Sequence, residues 1–256
     1  MFAMLLAGGT LGQQESLFPY APAGQKALID VSGKPMVRWV LEALEGAELI
    51  DAVVVIGLEH RPDLEIAKAT RFISDQGGLL ANARSGLRHI ERVNPRADRV
   101  LVISGDIPTV SSEMVDWRCQ AALDSDADLS YLAIERDVME SRFPGSSRSY
   151  VRVQNLQLCG GDCHCVRTGV LAEEALWERL ISARKNPLRQ AALIGYGTLL
   201  GLLLRRLTLP GAERRISQRL GINGRVQLSP YAELGMDVDT PQQLEMLRGD
   251  IARRGI

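Results

Sequence analysis

The sequence predicts a single α/β domain whose central sheet is mixed, mostly parallel and flanked by helices. Two observations carry this expectation. Apolar runs at 2–6, 52–56 and 100–103 each lead into glycine, as strands buried on both faces of a parallel sheet do. Between the first two lies 36–47, with Val37, Val40, Leu41 and Leu44 on one face at helical spacing. Strand, loop, helix, strand is the unit of a parallel sheet, and 256 residues suffice for one such core.

The first thirty-six residues organise the rest. Leu5, Leu6 and Ala7 run into Gly8 and Gly9, where the absence of side chains lets the backbone turn and come close to a ligand. Lys26 and Lys34 follow, separated by a short apolar segment readable as strand or turn. Backbone amides plus lysine charge suit an anion such as a triphosphate. Pro35 suits the first turn of the helix that follows.

Further along, 71–74 reads as a short strand, and Asp75-Gln76-Gly77-Gly78 turns the chain into a helix over 79–92 that carries Asn82, Ser85 and Gly86. The strand at 100–104 ends in Gly105-Asp106, which puts a carboxylate at the carboxyl edge of the sheet, where ligands bind in open α/β folds. An acid there suits Mg²⁺, a hard cation that takes one or two carboxylates. Capping of the next helix is the alternative for Asp106, although Ser111 and Ser112 are available for that.

A helix over 111–123 and a strand over 127–134 precede an aperiodic stretch, 135–149, read as a loop with Arg136, Arg142 and Arg148 at intervals. An alternating segment at 150–153 leads to the cysteine-rich 158–166. Cys163 and Cys165 would share one face of a strand with His164 on the other. No second ligand pair completes a zinc site, so the thiols read as small apolar residues. Helical patterns follow over 173–184 and from 186 onward. The apolar window 191–204 is shorter than the roughly twenty residues a bilayer requires. It reads as a buried or subunit-contacting helix, with membrane contact through a lipid-linked acceptor as the rival. An arginine-rich helix at 210–220, a strand at 224–229 and the sequence Asp237-Val238-Asp239-Thr240-Pro241 close the pattern, threonine capping the last helix and proline opening it.

Composition removes several function classes. With 30 basic and 31 acidic residues the chain has no general attraction for nucleic acid or an anionic membrane, so anion binding must be local. Aromatics make up 5% and are not interleaved with cations for base stacking. The 4 cysteines lack the spacing of a disulfide scaffold, and the first residues lack a basic leader and cleavage site; a cytoplasmic protein is expected.

Taken together, "LAGG, loop, GQKAL, GKPM" at the start, Ser85-Gly86-Leu87 and Gly105-Asp106 in the middle, and "DVDTPQQL" at the end resemble the MobA-like and sugar-phosphate nucleotidyltransferases. That resemblance implies a Rossmann-like, glycosyltransferase-A-like fold over 1–256, with a helical insertion around 173–222. It implies transfer of a nucleoside monophosphate from a triphosphate to a phosphate or hydroxyl acceptor, with release of pyrophosphate. On the matching positions, Leu6, Ala7, Gly8, Gly9, Lys26, Asn82, Ser85 and Gly105 would bind the nucleotide. Asp162 and Arg148, with Arg142 as the alternative cation, would meet the acceptor. Asp106 and Asp239 would hold Mg²⁺, with Asp237 in reserve, and Lys26 and Asp106 would be catalytic. The apolar window makes a homodimer an expectation.

The chain departs from the family pattern twice. Loop 10–15 lacks the arginine that many members send to the triphosphate, and Gln25 replaces the proline before the lysine. Two rivals follow. A glycosyltransferase of this fold would use a nucleotide-sugar and an Asp-x-Asp pair in mid-chain, where this chain has Gly105-Asp106-Ile107-Pro108. A nucleotide-sensing or interaction module would have kept the fold and lost catalysis, which the missing arginine favours.

Overall fold

The computed structural model describes residues 1–183, Gly195 and 207–254. In chain order the strands are β1 (Phe2–Leu6), β2 (Asp30–Val31), β3 (Lys34–Pro35), β4 (Ala52–Ile56), β5 (Ala69–Ile73) and β6 (Arg99–Ser104), then β7 (Leu129–Glu135), β8 (Val151–Val153), β9 (Leu156–Gly160), β10 (Cys163–Arg167) and β11 (Gly224–Ser229). The helices are α1 (Met36–Gly46), α2 (Leu79–Val93), α3 (Ser112–Leu123), α4 (Arg136–Arg142), α5 (Thr168–Leu171), α6 (Glu174–Ala183), α7 (Leu209–Leu220) and α8 (Pro241–Arg254).

Nine strands form one sheet in the order β5-β4-β1-β6-β10-β7-β9-β8, with β11 on the other side of β7. The half from β5 to β6 is wholly parallel. Beyond it β10 and β9 run against their neighbours, while β11 is parallel to β7. The sheet is therefore mixed and mostly parallel, with helices on both faces. One core layer joins Ala3, Leu5 and Val53 to α1 and α3, and the other joins Met4, Val54 and Val100 to α2, α5 and α6. The four apolar positions expected on α1 are all fully buried.

The antiparallel insertion is anchored by two polar side chains. Leu132 is where β7 changes partner from β10 to β9: its carbonyl accepts from Gly161 N at 3.0 Å, and its N–H donates to His164 Nδ1 at 3.1 Å. Burial, with the Arg118 charge nearby, pushes the His164 pKa down to about 4, which keeps the ring neutral and able to accept. Arg118 itself is fully buried on α3 and donates to the carbonyls of Cys163 and Ser130. All four cysteines are free and buried, as the apolar reading requires.

Two expectations are corrected. Residues 136–142 form α4 within the stretch read as loop. Its last residue, Arg142, is spoken for: it binds Asp250 through both Nη atoms at 2.9 and 2.6 Å and Glu233 through Nε at 2.8 Å, tying α4 to α8, so its alternative role as an acceptor contact falls. Lys34 pairs with Glu42 at 2.8 Å and lies over the Trp39 ring. The apolar window 191–204 lies outside the described residues apart from Gly195. None of the described helices is long and apolar enough to cross a membrane.

Candidate active site

At the carboxyl ends of β1 and β4 the backbones touch. Gly57, with φ +99°, lies so near Gly8 that a Cβ on it would fall 2.1 Å from Gly8 Cα. A Cβ on Gly8 would in turn meet Gly57 Cα and Asn82 Nδ2, each at 3.2 Å. Asn82, buried on the first turns of α2, donates to Asp75 Oδ1 at 2.9 Å and accepts from Gln76 N at 2.7 Å. Its amide thus holds the turn at 75–78 beside the glycine pair. Ser85 follows one turn later on the same side of α2, and Gly86 beside it packs its backbone against Ile56. Leu6 enters through its carbonyl, which accepts from Gly105 N at 2.9 Å and joins the ends of β1 and β6.

The loop after Gly9 folds back on itself: Leu11 N donates to Gly24 O at 2.8 Å, and Thr10 bridges Gln25. That closure delivers Lys26, in a single 3-10 turn, to the end of β6. Its Nζ lies 2.6 Å from Asp106 Oδ2 and 2.6 Å from Asp239 Oδ1. Burial alone would depress the Lys26 ammonium, but the charges and hydrogen bonds of Asp106 and Asp239 outweigh it and hold its pKa above the ordinary value. Ser104 fixes Asp106 from behind, donating to Oδ1 at 2.6 Å, and Val238 N donates to Asp106 O at 3.1 Å. Ser111 caps α3, leaving Asp106 free of that duty.

Across from this pair the 143–149 loop brings in Arg148, which forms an ion pair with Asp237, lies 3.8 Å from Asp162 and donates to Gly160 O at 3.1 Å. Asp162 stands just before β10, its carbonyl accepting from Ser104 N at 2.9 Å. Burial, aided by repulsion from Asp106 and opposed by Arg148 and Lys26, pushes the Asp162 carboxyl up to about 7. Among the described residues its Oδ2 has no hydrogen-bond donor.

Oxygens of Asp106, Asp237 and Asp239 lie within 4.8 Å of one another, a hard-oxygen donor set that fits Mg²⁺. The structure thus brings together Gly8, Gly9, Lys26, Asn82, Gly105, Asp106, Asp162, Arg148 and Asp239 from stretches spread between positions 8 and 239. Two members were not singled out from sequence. Gly57 carries no local signal beyond ending a strand. Gln243 does: it stands on α8 within the Thr-Pro motif, accepts from Asp239 N at 2.9 Å and donates to Ser146 O at 3.1 Å. Buried to 4%, it ties the Asp239 turn to the loop that carries Arg148. Gln243→Leu leaves both backbone groups without their partner, and a loss of about 2–4 kcal/mol is expected in urea unfolding; a change below about 0.5 kcal/mol would show that this link is idle.

A cavity of ≈ 370 Å³ under α7, lined by Leu129, Tyr131, Val151, Leu158 and Val226 among others, is almost wholly apolar and contains none of these carboxylates. It reaches the site only at Gly160.

A glycine-floored parallel sheet edge, one lysine and a set of convergent carboxylates are the parts of a nucleotide-handling α/β protein. The model of the MobA-like NTP transferase domain matches residues 3–197, and the chain belongs to that family. Among solved structures it resembles a hypothetical transferase from Thermus thermophilus, 34% identical over 95% of this chain and 98% of that one, with a TM-score of 0.81. CMP:2-keto-3-deoxy-manno-octonic acid synthetase complexed with CTP shares the fold, with a TM-score of 0.60 at 18% identity over 99% of this chain and 100% of the other. Of curated proteins, the bifunctional protein GlmU of Agrobacterium fabrum is 28% identical over 140 residues, 53% of this chain. That match spans only 29% of GlmU's length.

Proposed function

We propose that this chain transfers a nucleoside monophosphate from a nucleoside triphosphate to a phosphate or hydroxyl of a small acceptor, releasing pyrophosphate. The observation that carries this is the meeting of Lys26, Asp106 and Asp239 within 2.6 Å contacts at the carboxyl edge of β1 and β6. Three motifs far apart in sequence converge there, in the order that the resemblance implies.

In this reading an acceptor oxygen attacks the α-phosphorus, a new P–O bond forms, and the bond to the bridging oxygen breaks as pyrophosphate leaves. The protein has little covalent work; alignment and charge neutralisation carry the rate. Gly8 and Gly9 let backbone amides approach the phosphates, and the turn held by Asn82, with Ser85 beyond it, faces the nucleoside. Lys26 offsets charge on the transferred group and the leaving pyrophosphate, standing in for the missing loop arginine. Asp106 and Asp239, with Asp237 beside them, would hold Mg²⁺, which when bound supplies positive charge to the phosphate oxygens. Arg148 and Asp162 face the acceptor as a pair.

The test is thermal stability with each of the four triphosphates, with and without Mg²⁺, on the native chain and on Asp106→Asn. A ligand at a hundred times its dissociation constant adds about 2.7 kcal/mol. One triphosphate is expected to raise Tm by several degrees with Mg²⁺, and Asp106→Asn is expected to lose the shift. No shift with any of the four would turn the reading toward an interaction module that kept the fold.

A further inference from the structure

Lys26 occupies the carboxylate oxygens on which the metal reading depends. Asp106 presents two oxygens: Oδ1 is taken by the Ser104 hydroxyl at 2.6 Å, so Oδ2 is the one left to face the site. Lys26 Nζ holds that oxygen and Asp239 Oδ1 together, each at 2.6 Å, and its side chain is only 19% exposed. An ammonium and a divalent cation cannot share the same two oxygens at contact distance, because their repulsion is unscreened at that range. The third carboxylate, Asp237, is engaged by Arg148. Each acid of the cluster therefore has a cation of the chain's own on it.

We propose that Lys26 is an internal stand-in for the metal, which keeps Asp106 and Asp239 closed to a divalent cation until a triphosphate draws the ammonium away. This deepens the nucleotidyl-transfer reading and rests on it. The triphosphate offers Lys26 a more concentrated negative charge than two carboxylates, and its departure frees Asp106 Oδ2 and Asp239 Oδ1. Metal without nucleotide then binds weakly, and nucleotide and metal enter as a unit. Lys26 sits just after the Thr10 to Gln25 closure of loop 10–25, in one 3-10 turn rather than on a strand, so swinging its side chain breaks no hydrogen bond of the sheet. Coupling of this kind is reciprocal, so the metal favours the nucleotide as much as the nucleotide favours the metal.

The experiment is Mn²⁺ titration by electron paramagnetic resonance, without nucleotide, on the native chain, Lys26→Met and Lys26→Gln. Lys34→Met is the control, since it removes the same unit of charge away from the cluster. Both Lys26 variants are expected to bind one Mn²⁺ at least tenfold more tightly than the native chain. Lys34→Met should match the native chain, and adding Asp106→Asn to Lys26→Met should abolish the gain. Equal Mn²⁺ affinity in the native chain and in folded Lys26→Gln, judged by circular dichroism, overturns the proposal, as does an equal gain in Lys34→Met. The two readings fail separately. A native chain stabilised by a triphosphate with Mg²⁺, but with Mn²⁺ affinity indifferent to Lys26, loses the stand-in and keeps the transferase. Tight Mn²⁺ binding in Lys26→Gln, beside a native chain that responds to no triphosphate, keeps Lys26 as the occupant of the metal oxygens and loses the transferase.

Discussion

Gly57→Ala is expected to destabilise the chain by about 4 kcal/mol or more, the range reserved for lesions the backbone cannot absorb. The new methyl would lie 2.1 Å from Gly8 Cα, 2.2 Å from Gly8 N and 3.0 Å from the Ala7 carbonyl carbon, all main-chain atoms that no rotamer change can move. The position also has φ +99°, where an L side chain is strained before any contact is counted. Relief requires β1 and β4 to part at their carboxyl ends, although Ala7 N is bonded to Ile56 O at 2.8 Å and Gly57 N to Ile73 O at 2.7 Å. Gly9→Ala is the comparison: its φ is +116° but nothing lies within 4 Å of the added carbon, so it should cost only about 1 kcal/mol. Urea unfolding of the two variants checks this. Equal midpoints would mean that the close approach of β1 and β4 is not a constraint on the fold.

Asp162→Asn is expected to stabilise the chain at pH 8, by about 2–4 kcal/mol. The carboxyl titrates near 7 in the fold, raised by burial and by Asp106, against 3.8 when unfolded. A raised folded pKa in an acid means that the charged form is the disfavoured one: its cost is absent below the unfolded value, grows as pH rises and is complete above 7. Three pKa units correspond to about 4 kcal/mol, an upper bound at a group that retains partial access to solvent. The amide removes the charge without changing the shape, so the Tm gain of Asp162→Asn over the native chain should be largest at pH 8 and shrink steadily toward pH 5. A gain independent of pH would assign the effect to something other than charge. Under the transfer reading the same substitution should lower turnover, which would make Asp162 a residue kept for function at the expense of stability.

Much of the fold was legible because it rests on local pattern. The runs that form β1, β4 and β6 are continuous and apolar, and the face of α1 follows from four residues at helical spacing. The convergence of Lys26, Asp106 and Asp239 was legible because each lies in a motif of the resembled pattern, and Asp106 also follows the end of a strand. What escaped is long-range. The direction of β10, inserted antiparallel between β6 and β7, is fixed by pairing across the sheet and by His164 and Arg118, none of which shows in the period of the segment. The short polar α4 lacks an apolar stripe, so it reads as loop. Arg142 and Arg148 are equivalent in sequence; only the docking of α8 gives one to Asp250 and leaves the other at the site. Gly57 reads as an ordinary strand end until Gly8 is placed against it.

The ion pair of Lys26 with Asp239 joins positions 213 residues apart. During synthesis the β1 to β6 half can be paired and packed while Lys26 already has Asp106, 80 residues on, as its partner. Asp239, and the Gln243 side chain that fixes its turn, emerge only with the final helix. A nascent chain therefore lacks the Asp239 arm of the cluster until α8 has been made.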